Sequence, residues 1–584
     1  MKRILYMVCG ALLLVGTASA QRPSYQIGGL HFSNDAMTTA DFASLSHQQF
    51  NFGTARSMGM AGAFTSLGGD MASMVLNPAG LGMYRRGEFA LTPMLSMSKS
   101  STAGTGAFEK NSNTRFALGN FGGVVNVHEG SGKLLSFNIG FGYTRLADYN
   151  YNYSFSTAPA YGASIADAMS VMLEAGGVGV NGNGKIEQMG MTDWGVDPAF
   201  WPGVAAYKTY LVDFPGHEDE YGVWHPDPNG VWYPAEIGAN ALIESASSVE
   251  SRGSAGEFSL AMGGNVDNKL YFGLTVGIQS ITQRKTLYYG EAYSYGGGNG
   301  YNSGEMAVDA DGVPLTKVMQ AMGMRQSVRL DGAGFNMKLG VIYRPTPSLR
   351  LGVAFHTPTL YAIERRYDLA MSTVSIGETS PTNPTSHEYT SDAVSEILED
   401  DGPNTWDFAS PARLMLGASY TFGGMAVVSV DYERAWYNGI RVKGMPYLPY
   451  GAGREDFKQD FKTYFQGSNS LRVGVEVRPI PKVALRAGYG YSGSMLKAKD
   501  TILSQPTTES VNYLTAGVGL SLGRSCYIDL AYCFANYAST EYMTFYGNRY
   551  PDPVSSEVAE IYESARFKSD LDRHNVALTF GVRF

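Results

Sequence analysis

The C-terminal stretch alternates without a fault. Val576, Leu578, Phe580, Val582 and Phe584 fall on one face of an extended strand, and Asn575, Ala577, Thr579, Gly581 and Arg583 on the other. Successive strand residues point to opposite sides, so one face is apolar and the other small or polar. A half-buried strand of a soluble sandwich alternates in the same way; repetition separates the two cases. Leu514, Ala516, Val518, Leu520 and Leu522 oppose Tyr513, Thr515, Gly517, Gly519 and Ser521. Leu471, Val473, Val475 and Val477 oppose Arg472, Gly474, Glu476 and Arg478, and Leu270, Phe272, Leu274, Val276 and Ile278 oppose Tyr271, Gly273, Thr275, Gly277 and Gln279. Glycines and charges share the non-apolar face. A face turned to bulk water rarely carries so much glycine, whereas a narrow lumen filled by a plug favours small residues and tolerates charge.

Segments of this kind number about fourteen, an even count as bacterial barrels need. They lie at 88–98, 114–127, 133–150, 255–266, 269–285, 331–344, 348–367, 411–422, 425–436, 469–478, 482–495, 509–522, 525–538 and 573–584. Short turns (128–132, 267–268, 345–347, 423–424, 479–481, 523–524) alternate with long connections (151–254, 286–330, 368–410, 437–468, 539–572). Short periplasmic turns and long external loops are the asymmetry of a membrane barrel. The expected fold is all-β: a transmembrane antiparallel barrel over 88–584, with 151–254 its largest loop.

The N-terminus agrees. Lys2 and Arg3 precede an apolar run from Ile4 to Val15, and Thr17-Ala18-Ser19-Ala20 supplies a cleavage pattern, so 1–20 read as a secretory signal and Gln21 as the mature start. No later run of about 18 apolar residues offers a spanning helix. Gly makes up 71 of 584 residues, and Tyr 38 and Phe 28 are also abundant, which suits many short strands and tight turns. The formal charge is −9, or −9 − 2 = −11 without Lys2 and Arg3, and no basic block appears, so nucleic acid is not an expected partner. Cys526 and Cys533 are seven residues apart in one strand, roughly 24 Å of extended chain. They cannot pair with each other.

Residues 21–87 do not alternate and read as an N-terminal plug. Within them stand Ala55–Phe64, rich in small residues, and Asn77-Pro78-Ala79-Gly80-Leu81, where Asn77 can cap a turn that Pro78 begins. An independent periplasmic cap is the alternative. Ala55–Phe64 and the Asp70–Leu81 run that ends in this turn, together with Gly334-Phe335-Asn336, Tyr343-Arg344-Pro345, Leu349–Val353, His356-Thr357-Pro358 and Arg478-Pro479-Ile480-Pro481, resemble the FadL/TodX family of outer-membrane transporters for long-chain fatty acids and other hydrocarbons. The resemblance covers the plug and most strands. It implies a fourteen-stranded barrel of the bacterial outer membrane with an N-terminal hatch, ligand capture at the outer face and a pocket near the hatch. Sideways release through an inward kink of the third strand is also implied. Gly140 and Gly142 lie on that strand as the candidate kink; small residues making room for the plug are the other reading. The lead-in from Gln21 to Gly53 and the 151–254 connection are longer than the family pattern.

A channel for an amphiphile needs an apolar pocket and a cation for a carboxylate. The register turns Lys338, Arg350, Arg413, Arg472, Arg478 and Arg486 inward, and also the acids Asp431, Glu433, Glu476 and Asp529. Lys338, Arg350, Arg413, Arg472 and Arg486 are the head-group candidates; salt bridges across the lumen or to the plug are the competing assignment. His356 reads as a hydrogen-bonded lumen residue. His217 and His225 among Glu218, Asp219, Glu220 and Asp227, and the Asp309–Gly312 run, match no defined metal motif. No metal or cofactor is called for, and enzyme motifs are absent. The reading is passive uptake of a hydrophobic or amphipathic small molecule, with outer-membrane lipid around the barrel: capture by apolar and aromatic residues of the 286–330 and 368–410 loops, a lumen site, then plug rearrangement and lateral release. The rivals are a barrel that carries proteins in type IX secretion, using the long loops as a partner surface, and a haem receptor.

Overall fold

The computed structural model describes residues 29–30, 39–49, 53–104, 108–196, 200–377, 380–390, 405–443, 454–497, 509–523, 525–542, 545–549 and 560–584. The expected signal segment and the start at Gln21 lie outside them. The sheet is a closed antiparallel barrel of 14 staves. In chain order these are β1 (Glu88–Ala103), β2 (Glu109–Glu129), β3 (Leu134–Asp148, resumed as Tyr151–Ser156), β4 (Leu242–Val266) and β5 (Leu270–Ser294). There follow β6 (Lys317–Tyr343), β7 (Leu349–His356, resumed as Leu360–Gly377), β8 (Arg413–Phe422), β9 (Ala426–Trp436) and β10 (Gly467–Ile480). The wall ends with β11 (Val483–Ser492), β12 (Val511–Leu522), β13 (Cys526–Tyr537) and β14 (Phe567–Arg583). β14 returns to β1, with Val582 opposite Phe89 and Phe580 opposite Leu91.

The expected alternation is the observed one. Phe89, Leu91 and Leu95 of β1, Phe335, Leu339 and Val341 of β6, and Val576, Phe580 and Val582 of β14 are exposed, while Ala90, Thr92 and Met94, Asn336, Lys338 and Gly340, and Ala577, Thr579 and Gly581, which alternate with them, are buried. A closed wall pairs its own backbone groups and shows apolar side chains outward, which is the condition for crossing hydrocarbon with strands. β7 is interrupted at Thr357-Pro358-Thr359, where Pro358 has no N–H for the ladder.

The long-loop end departs from expectation. β5 runs on to Ser294 and β6 begins at Lys317, so most of 286–330 is strand rather than loop. β4, β5 and β6 reach 25, 25 and 27 residues, against about 9–11 needed to cross a bilayer. Likewise only 157–241 of the largest connection leaves the wall. It forms a cap with α4 (Ile165–Ala175) and α5 (Trp201–Lys208). Cys526 is exposed, Cys533 buried, and both are free, as their spacing requires.

The N-terminal segment fills the lumen. It comprises α1 (Thr39–Leu45), α2 (Ala55–Gly59), α3 (Ser73–Leu76) and a 3-10 turn over Pro78–Met83. Asn77 caps that turn as its sequence indicates, with Oδ1 accepting from Ala79 N at 3.1 Å and Pro78 in first position. Its amide donates to Thr65 O at 2.6 Å. The inward glycines are the wall's half of this fit. A Cβ on Gly474 would stand 2.6 Å from Met60 O, on Gly488 2.7 Å from Ala61 N, and on Gly263 2.8 Å from the Leu81 side chain. Residues 53–84 are therefore a hatch inside the barrel, not a separate cap.

This fit predicts that Gly474→Val, which drives a branched side chain into hatch backbone, destabilises the folded barrel by about 1–3 kcal/mol. The check is the temperature at which the compact gel band converts to the unfolded one; no shift would mean the hatch yields freely.

Candidate functional site: the lumen above the hatch

At hatch level the wall is charged and paired. Lys338 Nζ lies 2.6 Å from Glu257 Oε2, and Gln279 donates to the same carboxylate at 2.7 Å. Arg413 meets Glu433 at 2.9 Å and donates to Ser46 O at 2.8 Å, while Arg472 approaches Glu433 at 3.3 Å. Arg486 bridges Glu476 at 2.8 Å and Asp529 at 2.6 Å, and Arg56 of α2 joins Glu476 at 3.1 Å. Arg478, half-exposed, completes that cluster at 2.9 Å. Asp431 accepts from Thr65 N at 2.8 Å, and His356 Nε2 donates to Leu76 O at 2.9 Å. Arg350 differs: its guanidinium holds Leu67 O at 3.2 Å and no carboxylate among the described residues. The five head-group candidates are thus spread around the wall against the hatch. They do not converge on one apolar pocket.

Gly140 and Gly142 keep continuous ladders to both neighbours, with Gly140 opposite Val124 and Ala261 and Gly142 opposite Gly122 and Ser259. A Cβ on either would meet Met74 of α3 at 3.0 Å. They make room for the hatch. The irregularity of β3 falls farther along, where Leu146–Asn150 are five consecutive buried residues and the strand breaks at Tyr149-Asn150. Pairing of β2 with β3 stops at Asn120–Thr144. It is replaced higher up by side-chain bonds such as Asn111 Nδ2 to Ser154 Oγ at 2.8 Å. Between those levels the wall has a gap in its ladder among the described residues. Segment 39–49 covers it from inside: Gln49 N donates to Leu146 O, and Tyr149 OH to Leu45 O, each at 2.8 Å. Phe42 of α1 is fully buried beside Phe408 (5.4 Å), which stacks on Tyr361 at 4.7 Å.

Above this layer lies an open cavity of about 690 Å³, whose lining includes Glu109, Arg325 and the exposed Tyr288. One inward row crosses it through five staves: Phe155, Ser247, Tyr289, Met324 and Met371, each opposite the next. No charge stands in that row. The cap closes over it, anchored where Glu291 accepts from Ser164 Oγ at 2.6 Å, Ile165 N at 2.8 Å, and Tyr289 and Tyr293 OH at 2.7 Å. Phe155, Met324 and Met371 escaped the sequence reading because they lie in stretches whose outward residues are not apolar. In the cap, His225 meets Asp219 at 3.0 Å in an exposed hairpin. No group of three metal-ligating side chains occurs among the described residues.

Solved structures resemble this chain over nearly its whole length. The P. putida toluene transporter TodX matches at 14% identity over 92% of this chain and 99% of its own, with a TM-score of 0.46. A Pseudomonas aeruginosa FadL homologue matches at 11% identity over 91% and 98%, TM-score 0.47. The Ralstonia pickettii toluene transporter TbuX matches at 16% identity over 92% and 99%, TM-score 0.44. No protein-family model and no curated protein matches.

Two outcomes follow from the lumen chemistry. Lys338→Met leaves Glu257 buried without its cation, a loss of about 3–5 kcal/mol, and Lys338→Met with Glu257→Gln restores most of it, both read by denaturant unfolding. His47, buried with neither ring nitrogen bonded among the described residues, is pushed from 6.5 down to about 3 by burial first, then by the Arg413 and Arg573 charges. The undocked segment therefore binds a proton that the docked one refuses. Docking is fully stabilised above pH 6.5 and weakens as pH falls toward 3. Protease sensitivity of segment 39–49 should rise over that window, and His47→Leu should flatten the rise; an unchanged profile would remove His47 from the account.

Proposed function

We propose that the chain is an outer-membrane channel of the FadL/TodX kind, a transporter and not an enzyme, passing a neutral or weakly polar hydrophobic molecule. The observation that carries this is the row Phe155–Ser247–Tyr289–Met324–Met371 along a cavity of about 690 Å³ whose charged lining is confined to Glu109 and Arg325. That volume is in the range of roughly 300–1,000 Å³ typical of small-molecule pockets. Sulfur and aromatic side chains give it a soft, adaptable lining. Lys338, Arg413, Arg472 and Arg486 could meet an anionic head group only by giving up buried carboxylate partners, which is costly. Arg350 lines a separate cavity of about 300 Å³ beside the Gly424 turn, so where a ligand carries a carboxylate the contact falls to Arg325, which lines the larger one.

The route then runs from the cavity past Phe42 to the gap between β2 and β3, and sideways into lipid. Support comes from the position of that gap, between the hatch-contacting glycines and Phe155 on the same stave. Hatch backbone packs directly on the wall at Gly263, Gly474 and Gly488. Release is downhill, driven by transfer of apolar surface from water into lipid.

The test is uptake of a neutral hydrocarbon and of a fatty carboxylate of equal length by cells carrying equal amounts of each variant. Met324→Trp with Met371→Trp, which fills the cavity, should lower hydrocarbon uptake about tenfold, equivalent to roughly 1.4 kcal/mol. Arg325→Ala should affect only the carboxylate. Hydrocarbon uptake unchanged by the filled cavity would reject this pocket as the site.

A further inference from the structure

Four arginines stand in one line on the outside of the wall. Arg252 of β4 is opposite Arg284 of β5, Arg284 is opposite Arg329 of β6, and Arg329 is opposite Arg366 of β7. Neighbouring strands are about 4.8 Å apart, so the row is roughly 15 Å long. Like charges directly opposed destabilise a sheet, yet no carboxylate interrupts this row.

Its height is defined by the row beneath. Phe258, Ile278, Phe335 and Leu360 also oppose one another across the same four staves, and they are 55%, 58%, 47% and 64% exposed. Each is six residues from the arginine of its own strand (258 − 252, 284 − 278, 335 − 329, 366 − 360). An even separation keeps both rows on the outward face. Six residues are about 20 Å of strand, or roughly 15 Å along a barrel axis tilted near 40°. The arginines therefore sit where the head groups begin above the last exposed apolar row.

Their present partners are weak competitors. Arg252 meets Glu250 at 3.0 Å, Arg329 meets Asp331 at 2.7 Å and Arg366 meets Glu364 at 3.1 Å, with the three arginines 54%, 55% and 64% exposed. Exposed pairs of this kind contribute little and exchange readily. Among the described residues, Arg284 holds only the Ser327 hydroxyl, at 3.3 Å. A guanidinium fork matches phosphate oxygens in two parallel bonds. We propose that this arginine ladder binds the phosphate groups of a lipid head group in the outer leaflet, whose acyl chains lie on Phe258, Ile278, Phe335 and Leu360. The site is independent of what the lumen carries.

The full-length protein in neutral detergent is titrated with a bisphosphorylated, acylated diglucosamine lipid, with its dephosphorylated form and with inorganic phosphate. The wild type should prefer the phosphorylated lipid, and Arg284→Ala with Arg329→Ala should weaken that binding about tenfold or more while leaving the dephosphorylated form unchanged. Heat-dependent gel mobility reports assembly. Should the alanine pair not assemble, Arg284→Lys with Arg329→Lys keeps charge and loses the fork, and weaker binding by it supports the site. Equal affinity of wild type for both lipids, or unchanged binding by the variants, overturns the proposal. Inorganic phosphate binding as tightly as the lipid also overturns it, in favour of a free-anion site.

Discussion

A backbone N–H or C=O left unpaired in hydrocarbon costs several kcal/mol, and the rest of this structure is arranged around that cost. Joining β14 to β1 removes both sheet edges within the apolar belt. The resulting tube needs a filling, which the chain supplies from its own N-terminal segment. Backbone brought that close to a wall excludes side chains, so glycines such as Gly263, Gly474 and Gly488 recur on the inward face where the hatch touches. Where the ladder is released between β2 and β3, side chains and segment 39–49 take over the closure.

Charge is distributed by height. Around the hatch, buried cations and carboxylates satisfy one another and hold hatch carbonyls, as Arg413 does with Glu433 and Ser46. Such pairs are strongly destabilising to break, which makes them fasteners rather than vacant ligand sites. Higher up, the inward row turns to Phe, Ser, Tyr and Met, and Glu109 and Arg325 are the charges that line the cavity beside it. Outside, the order is reversed, with apolar rows low and the arginine row above them. One sheet thus presents different chemistry at each level on each face, simply by alternating residues.

Much of the barrel was legible because lipid enforces a period of two. All fourteen staves fall where alternation places them, and the Asn77-Pro78 turn forms as its residue types require. The upper halves of β5 and β6 were not legible: above the membrane their outward residues are Arg, Ser and Tyr, so the apolar signal fades although the ladder continues. The pocket row was lost with them. For the break in β3 the visible glycines misled, because small residues serve a close hatch contact as readily as a bend. The bend lies at Leu146–Asn150, where inward burial of every residue depends on packing against segment 39–49.

On the proposed reading, a hydrophobic ligand passes above a hatch that stays in place and leaves through the wall. The direct measurement is hydrocarbon uptake with the hatch tied to the barrel by a disulfide between cysteines introduced at Ala55 and Thr579, where Ala55 N lies 2.7 Å from Thr579 Oγ1. Cys526 and Cys533 are replaced by Ser in that protein. Uptake that is the same in the oxidised and reduced protein is the result this account predicts. Uptake abolished on oxidation and restored on reduction would contradict it, and would make movement of the hatch the step that opens the channel.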